Sequence, residues 1–178
     1  MNGFDLNLLM HIHDLTHNNV FNIIMPYIST AGNNGIVWIV LSLLLLINRK
    51  YRYVGILCIA ALLLTAISGE GIIKNIIQRP RPFNVIPNVQ LLIAKPHSWS
   101  FPSGHTASSF TAFWVIFREL KAFAAPVFIM AAAIAFSRMY LLVHYPSDIA
   151  GGIILGIICA ELVIRMYYRL NKGKRVES

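Results

Sequence analysis

The sequence predicts an all-α, polytopic membrane helix bundle of about five transmembrane helices, preceded by N-terminal interfacial helices. Three observations carry this. Hydrophobic residues make up 57% of the 178 positions and charged residues only 12%. The apolar residues come in near-continuous blocks without the alternation or narrow stripe of a soluble fold. The cations fall between those blocks, so the formal charge of +8 does not form the basic face that nucleic-acid binding requires. The length allows a single domain spanning residues 1–178. Cys58 and Cys159 both lie inside apolar blocks, which supports neither a disulfide framework nor a thiolate metal site.

Residues 4–30 interrupt apolar clusters with His11, His13, Asp14, His17, Asn18 and Asn19. They are too broken to span a bilayer and suit one or two short helices lying at its surface. Asp5 and Asp14 and the lack of an n-region of basic residues argue against a cleaved signal peptide. A first span is expected from about Ala31 to Asn48, closed by Arg49, Lys50 and Arg52. A second runs from about Tyr53 to Gln78, where Pro80 and Pro82 end it. Residues 83–100 read as a polar loop. A third span covers roughly Gly104 to Phe117, a fourth Ala122 to Val143 and a fifth Pro146 to Tyr168. Gly152 and Gly156 in the fifth have the spacing that lets a neighbouring helix approach closely.

Ten of the fifteen lysines and arginines lie on one side of these spans: Arg49, Lys50, Arg52, Arg118, Lys121, Arg165, Arg169, Lys172, Lys174 and Arg175. The positive-inside rule makes that side cytoplasmic, with the C-terminus inside and the N-terminus outside. Lys74, Arg79, Arg81, Lys95 and Arg138 collect at the outer ends.

The outer layer also holds the most polar stretch of the chain, His97–Ser109, with two histidines and five serines in thirteen positions. It delivers Ser103 and Gly104 to a predicted helix start, where unpartnered amides and the positive end of the dipole favour an anion. Ser103 is also placed as the N-cap. Lys74 and Arg81 close the second span, Arg138 closes the fourth, and His144 and Asp148 open the fifth. Cations, amides and imidazoles from separate helix ends thus meet in one layer, the pattern expected around phosphate. Pro146 suits the first turn of a helix, so Asp148 can reach back to His144, fixing its tautomer and leaving the other nitrogen as a nucleophile.

These residues resemble the type 2 phosphatidic acid phosphatase (PAP2) superfamily, among small bacterial membrane lipid phosphatases of the undecaprenyl diphosphate phosphatase and phosphatidylglycerophosphatase B kind. Three signatures carry the resemblance: Lys74, six residues, then Arg81-Pro82; Pro102-Ser103-Gly104-His105; and Ser137-Arg138, five residues, His144, three residues, Asp148. The resemblance implies that His144 attacks phosphorus to form a phosphohistidine, oriented by Asp148, while His105 protonates the leaving oxygen and then activates water. It implies that Lys74, Arg81, Ser103, Gly104 and Arg138 hold the phosphate oxygens, and that no metal or other cofactor takes part. In the tandem Arg79-Pro80-Arg81-Pro82 the spacing selects Arg81 and leaves Arg79 as a rim cation. Glu70, four residues before Lys74, is expected to pair with it, and Glu161 with Arg165.

The expected partner is a membrane lipid phosphate in the bilayer of the cell's cytoplasmic membrane, with the site on the extracytoplasmic side and no nucleic acid involved. Undecaprenyl diphosphate is the favoured substrate because a compact outer loop leaves little protein to recognise a large headgroup. Phosphatidylglycerophosphate, phosphatidic acid and lipid A are the alternatives. A noncatalytic lipid-phosphate binder would not need both His105 and His144, and a zinc hydrolase built on His97, His105 and His144 would place a divalent cation among three others.

Overall fold

The computed structural model describes residues 3–172, all helix and connecting loop. The helices are α1 (Gly3–Thr16), α2 (Asn19–Ala31), α3 (Ile36–Ile47), α4 (Arg52–Ala66), α5 (Lys74–Ile77), α6 (Gly104–Glu119), α7 (Ala124–Tyr140) and α8 (Pro146–Lys172). A π-helical stretch, Ile67–Ile73, joins α4 to α5 without a break, and Gln78 in the left-handed conformation ends the run just before Pro80. Lys174 and Arg175, which entered the cation count, lie outside the described residues.

The number of spans differs from expectation. Among the described residues three helices are long and apolar enough to cross a membrane, those within Arg52–Asn84, Lys121–Tyr140 and Pro146–Asn171. A fourth exists if α2 and α3, bent by 45° at the intervening turn, are taken as one broken span. α2 packs on the bundle through part of its polar set: Ser29 is 1% exposed and Asn22 accepts from the Tyr140 hydroxyl, while Asn19 and Thr30 are exposed. The break sits at Asn33–Gly35, where Asn34 and Gly35 both take positive φ.

α6, read from sequence as a span, has only 16 residues and lies at the centre, packed against α4, α7 and α8. Its hydroxyls are satisfied by neighbours and by its own backbone, so the helix can be polar without facing lipid. Thr111 Oγ1 lies 2.8 Å from Thr65 Oγ1, and Ser109 accepts from the Trp38 indole at 2.9 Å. The outward faces of the other helices carry exposed Ile39, Leu43, Leu44, Ile56, Leu63, Ile129, Ile154 and Leu162, the surface that a bilayer solvates.

α8 lies so close to α6 that its glycines admit no side chain. A Cβ on Gly152 would stand 2.8 Å from Ser103 O, and one on Gly156 would collide with Ala107 O and approach Thr111 N to 2.9 Å. Because α6 begins with the Ser103-Gly104-His105 corner and α8 with Asp148, this contact sets the two halves of the outer layer against each other. Gly156→Ala is expected to destabilise the fold by about 1–3 kcal/mol through overpacking, read as a fall in thermal midpoint in detergent with activity falling in parallel.

α1 is also packed more firmly than a surface helix. Leu9 is fully buried in a cluster with Leu142 and Tyr145, and His13 Nδ1 lies 3.1 Å from Tyr140 O. Tyr140 is buried at 1% exposure and ringed by His13, His17 and Phe21.

Candidate active site

The signature residues converge on one cavity of about 600 Å³. Its polar end is formed by Lys74, Arg81, Gly104, His105, Arg138 and His144, with Glu70 beside them. Its other end is apolar, with Ile39, Ile59, Leu62, Leu63 and Ala66 from α3 and α4.

Each cation is fixed by backbone or hydroxyl acceptors. The π-helical stretch ends at Lys74, which is 3% exposed. Its ammonium donates to Ser98 Oγ at 3.1 Å and pairs with Glu70 Oε1 at 2.6 Å, the expected i,i+4 pair. Arg81 is locked by three carbonyls: Nε donates to Ser98 O at 2.7 Å, Nη1 to Val143 O at 2.9 Å and Nη2 to Trp99 O at 3.3 Å. Arg138, at the end of α7, donates to Ser29 Oγ, and its Nε has no partner. Among the described residues neither Arg81 nor Arg138 forms an ion pair with a carboxylate, although both are at least 96% buried. Burying an uncompensated cation costs several kcal/mol. The polar end is built for an anion.

His144 lies in the 141–145 loop between α7 and α8, 1% exposed. Arg81 Nη1 stands 3.1 Å from its Nε2. Arginine can only donate, so Nε2 carries a lone pair and the proton sits on Nδ1, facing Asp148 Oδ2 at 3.4 Å. Burial first, and then the charges of Arg81, Arg138 and Lys74, hold the imidazole well below its ordinary pKa and therefore neutral. The sign of the linkage follows: the unfolded chain takes up the His144 proton below about pH 6.5 and the folded one does not. Stability due to this group is thus full above that pH and falls below it, by up to about 1.4 kcal/mol per pH unit. Thermal midpoints at pH 7 and pH 5 are expected to differ more for wild type than for His144→Asn.

Asp148 stands behind His144 and away from the cavity. Oδ2 accepts from Ser100 Oγ at 2.5 Å and from Tyr145 N at 2.9 Å, and Oδ1 from Arg79 Nη1 at 2.8 Å. Arg79 is accordingly no rim cation: its side chain is 21% exposed and is ion-paired with Asp148 and Asp5. Ser103 is fully buried as the N-cap of α6, its hydroxyl oxygen accepting from Thr106 N and Thr106 Oγ1. It does not line the cavity, whereas Gly104 does. The carboxylate of Glu70 lies against Gly104, where any Cβ would collide with Oε1.

His105 faces the same cavity, and its Nε2 lies 2.9 Å from Asn33 Oδ1. The break in the first span thus supplies two supports that spacing does not reveal, Ser29 for Arg138 and Asn33 for His105. His97, the third histidine of the zinc alternative, lines a separate cavity of about 290 Å³ with Lys95 and Trp99. At the other end of α6, Glu161 accepts from Trp114 Nε1 at 2.9 Å and Arg165 Nε at 2.8 Å, and also pairs with Arg118. This is the expected pair enlarged into a structural cluster.

Residues 52–172 match the PAP2 superfamily family model. This chain belongs to the PAP2 superfamily. It is therefore a membrane lipid phosphatase acting on a lipid phosphate or diphosphate, metal-independent as is typical of that superfamily, and a multi-pass membrane protein. The phosphatase is 32% identical over 157 residues to an undecaprenyl-diphosphatase of Sulfolobus acidocaldarius, across 86% of this chain and 74% of that protein. It is 33% identical over 136 residues to a decaprenylphosphoryl-5-phosphoribose phosphatase of Mycobacterium tuberculosis, across 76% and 75% of the two chains. Among solved structures it resembles Aquifex aeolicus LpxE, with a TM-score of 0.79 and 30% identity over 90% of this chain and 94% of that one.

Proposed function

We propose that this phosphatase removes the terminal phosphate of a membrane lipid on the extracytoplasmic face, from a phosphomonoester whose leaving group is an alcohol. Phosphatidylglycerophosphate, phosphatidic acid and lipid A are lipids of this class. The observation that carries the reading is the charge layout of the cavity. Its cations form a single cluster around His144, enough for one phosphoryl group, and the only other full charge on the wall is the Glu70 carboxylate. The apolar end admits the first part of a lipid chain from between α3 and α4.

In this reading the His144 Nε2 lone pair attacks phosphorus, and the bond to the lipid oxygen breaks with its electron pair. His105 gives that oxygen a proton, and the lipid alcohol leaves. Arg81, Arg138, Lys74 and the α6 amides stabilise the charge on the nonbridging oxygens. Phosphorylation makes the imidazole cationic and draws Nδ1–H towards Asp148. His105 then takes a proton from water as it attacks, the N–P bond breaks, and inorganic phosphate departs.

Undecaprenyl diphosphate is the second reading, favoured by the likeness to the Sulfolobus protein, whose name gives it that activity. A panel of lipid phosphates compared by kcat/KM in detergent without added metal separates the two. The monoester reading expects the highest values on monoesters; a preference of more than tenfold for undecaprenyl diphosphate would overturn it. For the topology, ten cations on one side support a cytoplasmic C-terminus, and a reporter fused after Ser178 is expected to read inside.

A further inference from the structure

Asp148 faces two ways. Oδ2 is turned to His144 and to Ser100, while Oδ1 is held by Arg79. Arg79 in turn reaches Asp5, which belongs to α1 and is 8% exposed. Its Nη2 donates to Asp5 Oδ2 at 2.6 Å, its Nη1 to Ser147 Oγ at 2.6 Å, and its guanidinium lies 3.9 Å from the centre of the Tyr145 ring. Asp5 also accepts from Ser147 N at 3.2 Å and from the Ser147 hydroxyl, at the start of α8. Beneath these contacts Leu9 packs on Leu142 and Tyr145, the residues of the loop that carries His144.

We infer that Asp5 is a positioning residue of the active site, and that α1 is through it a working part of the catalytic centre. The inference rests on the proposed roles of His144 and Asp148. The physical reason is a charge count. Arg79 alone beside Asp148 would neutralise the carboxylate that His144 needs. Shared between two carboxylates, one guanidinium leaves a net negative charge, and Asp148 is the member of the set that faces the imidazole. Among the groups around His144, Arg81, Arg138, Lys74 and His105 oppose a positive imidazole, while the Glu70 carboxylate on the same wall is paired with Lys74 and the neighbouring Tyr145 ring lies against Arg79. The Asp5–Arg79–Asp148 chain is the counterweight on the opposite side of the ring, and Asp5 fixes its geometry to the start of α8.

The test compares wild type, Asp5→Asn and Asp5→Glu in detergent, with folded protein quantified by thermal unfolding. Asp5→Asn is expected to lower kcat by about tenfold to a hundredfold with KM within about twofold, since Asp5 does not touch the phosphate. Asp5→Glu is expected to restore part of kcat. In ¹⁵N-histidine spectra, assigned with His144→Gln, Asp5→Asn is expected to weaken or move the His144 Nδ1–H signal. A kcat per folded molecule unchanged by Asp5→Asn, or a loss matched by lost folded protein with the His144 signal unmoved, would overturn the inference. Should wild type release no phosphate from any lipid phosphate, the proposed function fails instead. The imidazole signal still reads positioning in that case.

Discussion

His144→Ala is expected to lower kcat/KM by roughly four orders of magnitude or more, with the fold intact. Covalent catalysis divides one hard displacement into two easier ones, and removing the nucleophile forfeits both, leaving only what the cation cluster contributes by binding. The geometry makes the choice of atom specific, because Arg81 can only donate to Nε2, which assigns the lone pair to that nitrogen and the proton to Nδ1. KM should move little, since Lys74, Arg81 and Arg138 are held by Ser98, Val143, Trp99 and Ser29 and not mainly by the imidazole. Acid-quenched wild type is expected to retain label from a ³²P-labelled lipid phosphate, and the variant none. More than a hundredth of wild-type activity in His144→Ala, at an equal folded fraction, would exclude this nucleophile.

His105→Ala is expected to cost about 10²–10⁴ on a lipid phosphomonoester and far less on a lipid diphosphate. The difference lies in the departing oxygen. An alcohol leaves as a strongly basic alkoxide unless a proton meets it, whereas a diphosphate expels a phosphate that is already a weak base. His105 shares the cavity with His144 and is steadied by Asn33, so the substitution removes a proton donor and leaves the phosphate seat standing. Rates on the two substrates should therefore diverge in the variant while the affinity for inorganic phosphate holds. Equal losses on both would count against His105 as the acid.

The three signatures were legible because their residues sit at helix ends, where spacing along the chain translates directly into position in one layer. Lys74, Arg81, His105, Arg138 and His144 all reach the cavity from that logic. What sequence reading missed depends on contacts between distant segments. Arg79 looks like a spare cation beside Arg81, and only folding brings Asp5 and Asp148 to its two ends. Ser29 and Asn33 look like interruptions of an apolar block, yet the bend they flank presents one to Arg138 and the other to His105. His11, His13, Asp14, His17, Asn18 and Asn19 made residues 4–30 look unfit to span a membrane, because hydropathy counts a side chain as costly without knowing that protein can pair it, as Tyr140 O does for His13. Ser103 is the N-cap the sequence predicts, accepting from Thr106 through its hydroxyl oxygen, and a buried cap is legible because a serine before a helix start has one dominant use. Gly152 and Gly156 were readable because a missing side chain has the same meaning, close approach, in sequence and in structure.

The cavity, finally, has a bearing on which lipids the enzyme distinguishes. At about 600 Å³ it falls within the ~300–1,000 Å³ range of small-molecule sites, room on the proposed reading for a headgroup and a short first length of chain. Everything beyond that length remains among the acyl tails of the bilayer. On the proposed reading, the fixed positions of Lys74, Arg81 and Arg138 at their helix ends set one depth at which a lipid's phosphate meets them. The expected consequence is that tail length beyond the enclosed part changes kcat/KM little, while the membrane, by setting the height of each headgroup, takes a share in choosing the substrate.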